Sequence, residues 1–232
     1  MKWLNKILNL VFPSFCKICN KSLKHHEVLI CENCYEKLPF LNAYCKKCGT
    51  PIEGLRDKKQ RVSFCSNCFQ KKLYFDEVFI GFYYKEPISN WILEAKFHRN
   101  FVLAFELGKL LRKVIKNLLP DVDYIVPLPL SKKRSGERGY NQSFLIYAGL
   151  TDKKFSPSIL VKIKDTLPQT RLSKKERWKN VKNAFKSYSS LNKKTILLID
   201  DVITTGATVN EAAKALKLAG AEKVYVCALA KS

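Results

Sequence analysis

The chain has 232 residues, of which 47% are hydrophobic, enough to bury a sizeable core in one domain or two. Its 42 lysines and arginines exceed its 20 aspartates and glutamates, and the net charge of +22 favours a polyanionic partner, either nucleic acid or an acidic small molecule. No run of 18 apolar residues occurs and polar residues interrupt residues 1–12, so the composition excludes a membrane-spanning helix and a secretion signal and predicts a cytoplasmic protein.

Eight of the nine cysteines form four Cys-x-x-Cys pairs in the first third of the chain. A Cys-x-x-Cys turn places two thiolates about one tetrahedral edge apart, and two such turns complete a closed shell around zinc. Disulfides are the alternative, but no secretion signal accompanies the pairs. The spacing therefore predicts two structural zinc ions in a double zinc-ribbon domain over residues 1–75, with these ligands: Cys16, Cys19, Cys31, Cys34, Cys45, Cys48, Cys65 and Cys68.

The four pairs leave two arrangements open. Sequential pairing, first with second and third with fourth, closes shorter loops than an interleaved arrangement and is favoured for that reason. The histidines at positions 25 and 26 are not needed as ligands, because four cysteines already complete the first site. Cys227 lies in a late apolar run and is expected to be a small buried hydrophobe.

After residue 75 the pattern changes to alternating strands and helices, which is typical of an open α/β sheet. A β-branched and aromatic run predicts a strand at residues 78–84, and leucines at helical spacing predict a helix at residues 101–119. Four short apolar runs predict parallel strands covered on both faces, at residues 124–128, 159–163, 195–199 and 224–229. We therefore predict an α/β domain over residues 76–232, with a mostly parallel sheet and flanking helices.

Residues 196–208, ILLIDDVITTGAT, read as a buried strand, two adjacent acids, a turn of small residues and a helix start. The strand brings the turn to the carboxyl edge of the sheet, where open α/β folds bind ligands. Backbone N–H groups and threonine hydroxyls would then face an anion at the positive end of the helix. Asp200 and Asp201 are suited to accept hydrogen bonds from vicinal ribose hydroxyls, directly or through water on a metal ion. Turn and helix-capping roles alone are the alternative.

This string resembles the phosphoribosyl pyrophosphate signature of type I phosphoribosyltransferases. Further motifs narrow the resemblance to the ComF family of competence proteins, which also carries an N-terminal double zinc ribbon. These motifs are VPLP at residues 126–129, RGYNQ at 138–142, QTRLS at 169–173, ER at 176–177, NV at 180–181 and AF at 184–185.

The resemblance implies a phosphoribosyltransferase-like fold, a ligand of the phosphoribosyl pyrophosphate type bound with magnesium, and a role in natural transformation, handling incoming single-stranded DNA. By position, Asp200 and Asp201 match the acids that contact ribose hydroxyls and would be the catalytic residues of an active enzyme. The 5′-phosphate cradle is matched by Thr204, Thr205, Gly206, Ala207 and Thr208. Residues 165–186 stand where these folds carry a mobile hood but follow the ComF pattern, so transfer activity is implied less firmly than binding.

Two basic segments adjoin the predicted ligand edge, one after the strand at 124–128 and one around Trp178. Such residues neutralise a pyrophosphate, or track a nucleic-acid backbone while an aromatic ring stacks on a base. We assign Arg138 to the ligand, and we predict DNA contacts at Lys132, Lys133, Arg134, Arg177 and Trp178. A solvated basic loop is the alternative. His98, beside Lys96 and Arg99, is a weak candidate for a general base.

Three functions remain open at this stage. The first is a DNA-handling competence protein that also binds a phosphoribosyl ligand. The second is an active phosphoribosyltransferase that builds a nucleotide on a nitrogenous acceptor. The third is a zinc-ribbon module that docks to a competence helicase or another DNA-processing protein.

Overall fold

The computed structural model describes residues 14–24, 27–52, 60–62, 64–69, 72–152, 159–167 and 172–232. The predictions for residues 1–12, for the histidines at 25 and 26, and for most of the motif at 169–173 lie outside these ranges. In the part of the chain that is described, no helix is long and apolar enough to cross a membrane.

The cysteine-rich part contains four short elements in its described segments. They are α1 (Glu32–Tyr35), β1 (Ala43–Cys45), β2 (Gln60–Val62) and α2 (Ser66–Phe69). Elements this short bury little apolar surface of their own, so a metal site is the expected source of their stability.

The rest of the chain forms the predicted α/β domain. Its elements are β3 (Glu77–Tyr83), α3 (Ile88–Phe97), α4 (Phe101–Ile115), β4 (Tyr124–Pro127), α5 (Lys132–Arg138), α6 (Gln142–Leu150), β5 (Val161–Lys162), α7 (Lys174–Asn180), β6 (Phe185–Lys186), β7 (Thr195–Ile203), α8 (Ala207–Leu218) and β8 (Lys223–Lys231). Four strands pair in the order β3-β8-β7-β4, and every pair is parallel. The mostly parallel sheet with flanking helices is confirmed.

One predicted strand is wrong. Residues 159–163 do not join the parallel sheet, because only Val161 and Lys162 form a strand, and they pair antiparallel with β6. Ile159 and Leu160 are buried in the core, whereas Val161 and Ile163 are 37% and 54% exposed. The apolar side chains of Ile159 and Leu160 therefore pack into the core although their backbone does not pair with the parallel sheet.

Two buried clusters fill the two faces of the sheet. Helices α3, α4 and α6 cover one face together with buried residues of the first ribbon, including Cys34 and Leu38. Helix α8 covers the other face, where two further residues are buried: Tyr44 of the second ribbon, the part that carries the third and fourth cysteine pairs, and Phe75, which lies just before β3. Each ribbon therefore shares a hydrophobic core with the sheet.

Residues 39–46 cover the outer edge of β3. The Leu41 amide donates to the Gly81 carbonyl at 3.1 Å, and the Val78 amide donates to the Lys46 carbonyl at 2.7 Å. An edge strand left open would present unpaired backbone groups, so this cover both protects the sheet and fixes the second ribbon against it.

Candidate functional site

The eight paired cysteines form two four-sulfur clusters. In each cluster the sulfur atoms all lie within 4.8 Å of one another, with the first and second pairs in one cluster and the third and fourth in the other. Sulfur separations of 3.5 Å for Cys48–Cys65 and 3.6 Å for Cys65–Cys68 are close to the edge of about 3.8 Å expected for tetrahedral zinc with Zn–S bonds of about 2.3 Å. The predicted sequential pairing is confirmed, and both clusters fit structural zinc.

Two thiols of the first cluster, Cys16 and Cys34, have pKa values shifted in opposite directions. Burial opposes ionisation of Cys16, but backbone N–H groups of Cys19, Cys31 and Ile18 outweigh it and lower the pKa of Cys16 to about 6. Burial, together with its neighbouring thiols, raises the pKa of Cys34 to about 12. The lowered pKa of Cys16 favours a thiolate that can begin metal binding, and zinc must displace a proton from Cys34.

Asp200 and Asp201 lie within β7, because that strand extends to Ile203, beyond the predicted end at residue 199. Asp201 is only 9% exposed, and its Oδ2 lies 2.7 Å from Lys96 Nζ of α3. Asp200 Oδ1 accepts a hydrogen bond of 3.3 Å from Ser143 Oγ of α6 and one of 2.9 Å from the Asp201 amide. Both carboxylates are therefore held by elements of the same sheet face.

The environment of Asp200 disfavours its charge. Burial is the main cause and the neighbouring Asp201 carboxylate adds to it, whereas Lys96 acts in the opposite direction; together they raise the pKa of Asp200 to about 7. The protonated form of Asp200 is thus favoured over a wider pH range than in an ordinary aspartate, and a ligand that donates hydrogen bonds or brings a cation would favour its ionised form.

Residues 204–206 form the turn between β7 and α8. Gly206 has a φ of +80°, in the left-handed region that glycine adopts without strain, and a Cβ at this position would meet open space. The Ala207 amide donates to Thr205 Oγ1 at 3.3 Å, and α8 begins at Ala207. The turn therefore presents the N-terminus of a twelve-residue helix to an open region, as an anion site requires.

That open region is a cleft of about 520 Å³. Its lining includes the turn at 204–206, Thr50 of the second ribbon, Phe75 just before β3, and Arg177 and Trp178 of α7. A space of this size is within the range of about 300–1,000 Å³ that small-ligand sites occupy. The second ribbon, the α7 segment and the turn thus form the walls of one cleft.

The structure brings together only some of the residues predicted to contact DNA or the ligand. Arg177 and Trp178 line the cleft, while Arg134 donates to the Thr166 carbonyl at 3.0 Å and Lys133 is exposed. Lys132 and Arg138 are the first and last residues of α5, but their side chains lie outside what the structure describes. His98 is exposed at the end of α3.

Sequence reasoning missed four residues of this region: Lys96, Ser143, Thr50 and Lys231. Lys96 and Ser143 contact the two acids, and Lys231 Nζ donates to the Thr204 carbonyl at 2.9 Å. Lys96 was noticed only as a neighbour of His98. Nothing in the local sequence signals these positions. The partners of Lys96, Ser143 and Lys231 are all more than 25 residues away, and Thr50 shares the cleft with a turn more than 150 positions later.

Comparison with known proteins agrees with both halves of the chain. Residues 7–69 match the double zinc ribbon domain, and residues 153–232 match the phosphoribosyl transferase domain. Competence protein F of Haemophilus influenzae is 32% identical over 94% of this chain and 96% of its own length. DNA utilization protein YhgH of Escherichia coli K12 is 30% identical over 96% and 99%, and competence protein ComFC of Bacillus subtilis is 26% identical over 81% and 77%.

A double zinc ribbon joined to a phosphoribosyltransferase-like α/β domain is therefore the class of protein that this fold defines. With a relative that is 32% identical along nearly its full length, the chain belongs to the ComF family of competence proteins.

Proposed function

We propose that this protein handles incoming single-stranded DNA in natural transformation and binds a phosphoribosyl pyrophosphate-type ligand with Mg²⁺. One observation carries the proposal. Two acids, the turn that precedes α8 and a cleft lined by basic side chains lie near one another at one edge of the sheet. Ligands bind at that edge in open α/β folds. The names of the relatives, competence protein F and ComFC, support the role in transformation.

The proposed ligand would contact both parts of this edge. The N-terminus of α8, with the hydroxyls of Thr204, Thr205 and Thr208, would hold the 5′-phosphate, and Gly206 and Ala207 would allow the backbone to approach it. Asp200 and Asp201 would accept hydrogen bonds from the ribose hydroxyls. Magnesium, when bound, would offset the charge of the pyrophosphate, and its water ligands suit the same carboxylates. Arg138 is the proposed pyrophosphate contact.

Single-stranded DNA would lie along the basic surface beside the turn. Arg177 and Trp178 combine a cation with an aromatic platform inside the cleft, which suits a phosphate next to a stacked base. Lys132, Lys133 and Arg134 of α5 would extend the contact with the backbone of the DNA strand.

We further propose that the ribbons span residues 1–75 and the α/β domain residues 76–232. We also propose that the protein acts in the cytoplasm beside a competence helicase or another DNA-processing partner.

Calorimetric titration of phosphoribosyl pyrophosphate with Mg²⁺ tests the ligand site. Asp200→Asn is the variant of choice, because asparagine resembles the protonated form that the raised pKa of Asp200 already favours, so the fold is retained. We expect binding to weaken at least tenfold. Asp152→Asn is the matched control, since its side chain is exposed and lies outside the site. Unchanged affinity in the Asp200 variant would refute the assignment.

Anisotropy of a labelled single-stranded oligonucleotide across a salt series tests DNA handling. Affinity should fall linearly on a logarithmic salt scale, because phosphate contacts release counterions. Replacing Arg177 and Trp178 together by alanine should lower affinity and flatten the salt slope. Replacing Lys186 and Tyr188, a basic and aromatic pair on the exposed surface, is the matched control. Absence of binding by the parent protein at low salt would rule out direct DNA handling.

An active phosphoribosyltransferase is the second candidate, favoured by the way Ser143 and Lys96 hold the two acids in place before any ligand binds. Pyrophosphate release from phosphoribosyl pyrophosphate, measured with a panel of nitrogenous bases, tests it. Base-dependent release that Asp200→Asn abolishes would establish transfer. Release that continues unchanged in this variant would show that these acids do not act in it.

A further inference from the structure

The acids and the cleft lie on opposite sides of the turn at residues 204–206. Asp201 borders a small cavity within the α3, α4 and α6 face, beside Ala95 and Gln142. The cleft includes Phe75, which is buried in the cluster on the α8 face, and neither Asp200 nor Asp201 is among the described residues that line it. A phosphate bound at the turn would therefore have the two acids on one side and the cleft on the other.

The side away from the acids has the chemistry of a nucleotide site. Lys174, Arg177 and Lys231 supply positive charge, and Trp178 supplies an aromatic surface. No aspartate or glutamate side chain lines the cleft within the described part of the chain. Cations beside an aromatic ring in a cleft of this size suit a base stacked next to a phosphate.

The second ribbon is a fixed wall of the same cleft. Gly49 packs so closely on the sheet that an added Cβ would lie 2.3 Å from Ile80 Cδ1 and 3.7 Å from Lys231 Cδ. Lys231 in turn donates to the Thr204 carbonyl, and Cys48 Sγ lies 3.0 Å from Thr50 Oγ1. The second cysteine cluster, the wall and the turn are therefore close neighbours, with Lys231 between Gly49 and Thr204.

We infer that this cleft binds the preceding nucleotide of a phosphodiester whose phosphate lies at residues 204–206. The sugar that carries this phosphate on its O5′ would lie on the side of the turn away from the cleft. The preceding nucleotide, attached to the phosphate through its own O3′, would lie in the cleft with its base against Trp178. The inference rests on the proposed phosphate site and extends it, because the site then accepts an internal phosphate of a strand as well as a terminal one.

The test compares thymidylyl-(3′→5′)-thymidine, which has one internal phosphate, with thymidine 5′-monophosphate, which has a terminal phosphate of higher charge. Charge alone would favour the mononucleotide. Stacking of one further base is worth roughly 5- to 150-fold in affinity, so calorimetry should show tighter binding of the dinucleotide. Trp178→Ala should remove that gain, so that the dinucleotide binds no more tightly than the mononucleotide, and circular dichroism checks that the variant is folded.

Tyr188→Ala, an exposed aromatic residue outside the cleft, is the control and should retain the gain. Equal or weaker binding of the dinucleotide by the parent protein would overturn the inference, as would a Trp178 variant that loses both ligands equally. Failure of phosphoribosyl pyrophosphate to bind, while the Trp178-dependent gain persists, would reject the proposed pyrophosphate ligand and leave the cleft assignment standing.

Discussion

Lys96 Nζ lies 2.7 Å from Asp201 Oδ2, so an ion pair is built into the acid pair of the proposed ligand site. The side chains are 20% and 13% exposed, which leaves the pair little screened by water. A lysine in this position offsets part of the charge that Mg²⁺ would otherwise neutralise alone. The acids of this site are therefore partly compensated before any ligand or metal arrives.

Replacing Lys96 by methionine should make ligand binding more dependent on magnesium. Without the lysine the two carboxylates repel an anionic ligand, so affinity without Mg²⁺ should fall several-fold, and saturating Mg²⁺ should restore most of it. Calorimetric titration at zero and saturating Mg²⁺ measures both. Lys113→Met, which breaks an exposed ion pair with Glu32, is the control.

The same variant should lower the free energy of unfolding by about 1–3 kcal/mol, because a largely buried carboxylate loses its partner. Urea denaturation measures this change. A Lys96 variant with the parental magnesium dependence would show that the lysine has no part in the ligand site.

The raised pKa of Asp200 predicts a pH dependence of stability. The folded protein retains a proton on Asp200 up to a pKa of about 7, whereas the unfolded chain releases it near pH 4, so Asp200 lowers stability progressively as pH rises from about 4 to 7. Asp200→Asn should remove this contribution. The stability of the variant relative to the parent should therefore be greater at pH 8 than at pH 5, as measured by urea denaturation. A difference independent of pH would mean that the pKa is not raised.

Gly206→Ala should weaken phosphate binding more than it weakens the fold. Its φ of +80° imposes a backbone cost of about 1–2 kcal/mol on alanine, and the new Cβ would stand in the open space where phosphate approaches. Gly139 is a matched control, with a φ of +76° and equally open surroundings. Both variants should lose similar stability in denaturation, and only Gly206→Ala should lose affinity for ribose 5-phosphate. Equal affinity in the two variants would place the phosphate elsewhere.

The two zinc clusters should differ in their effect on the cleft. Cys48→Ser disrupts the cluster whose residues line the cleft, whereas Cys19→Ser disrupts the first cluster at an exposed position. Both variants should bind zinc less tightly in a chelator competition assay. Affinity for the dinucleotide should fall in the Cys48 variant and persist in the Cys19 variant. Equal losses would show that the second ribbon has no special role in the cleft.

Both ribbons share a hydrophobic core with the sheet, so single substitutions test their roles better than deletion of the whole ribbon domain. Leu38 of the first ribbon and Tyr44 of the second are buried against the sheet. Deleting residues 1–75 would therefore expose apolar surface of the α/β domain and confound loss of a ribbon with loss of fold. Single substitutions at exposed or cleft-lining positions separate the two effects.

The sequence by itself determined the features that depend on neighbouring residues. Four Cys-x-x-Cys turns predict the zinc ligands because the chemistry of one turn is local. Loop length favoured sequential pairing but left the interleaved one open, and the structure decided between them. The string at 196–208 predicted the order of strand, turn and helix, since each part has its own composition, but the strand continues past residue 199 through both acids to Ile203. Residues 159–163 were misread because apolar content alone does not distinguish a sheet strand from a buried loop.

Only the tertiary structure decided what surrounds the turn. Lys96 is 105 positions before Asp201, and Thr50 is more than 150 positions before the turn, yet both belong to this region. Their placement depends on how α3 packs on the sheet and how the second ribbon covers the edge of β3. Such contacts depend on how whole helices and strands pack and are buried. The spacing of residues in the sequence does not specify that packing, so the cleft could be identified only from the tertiary structure.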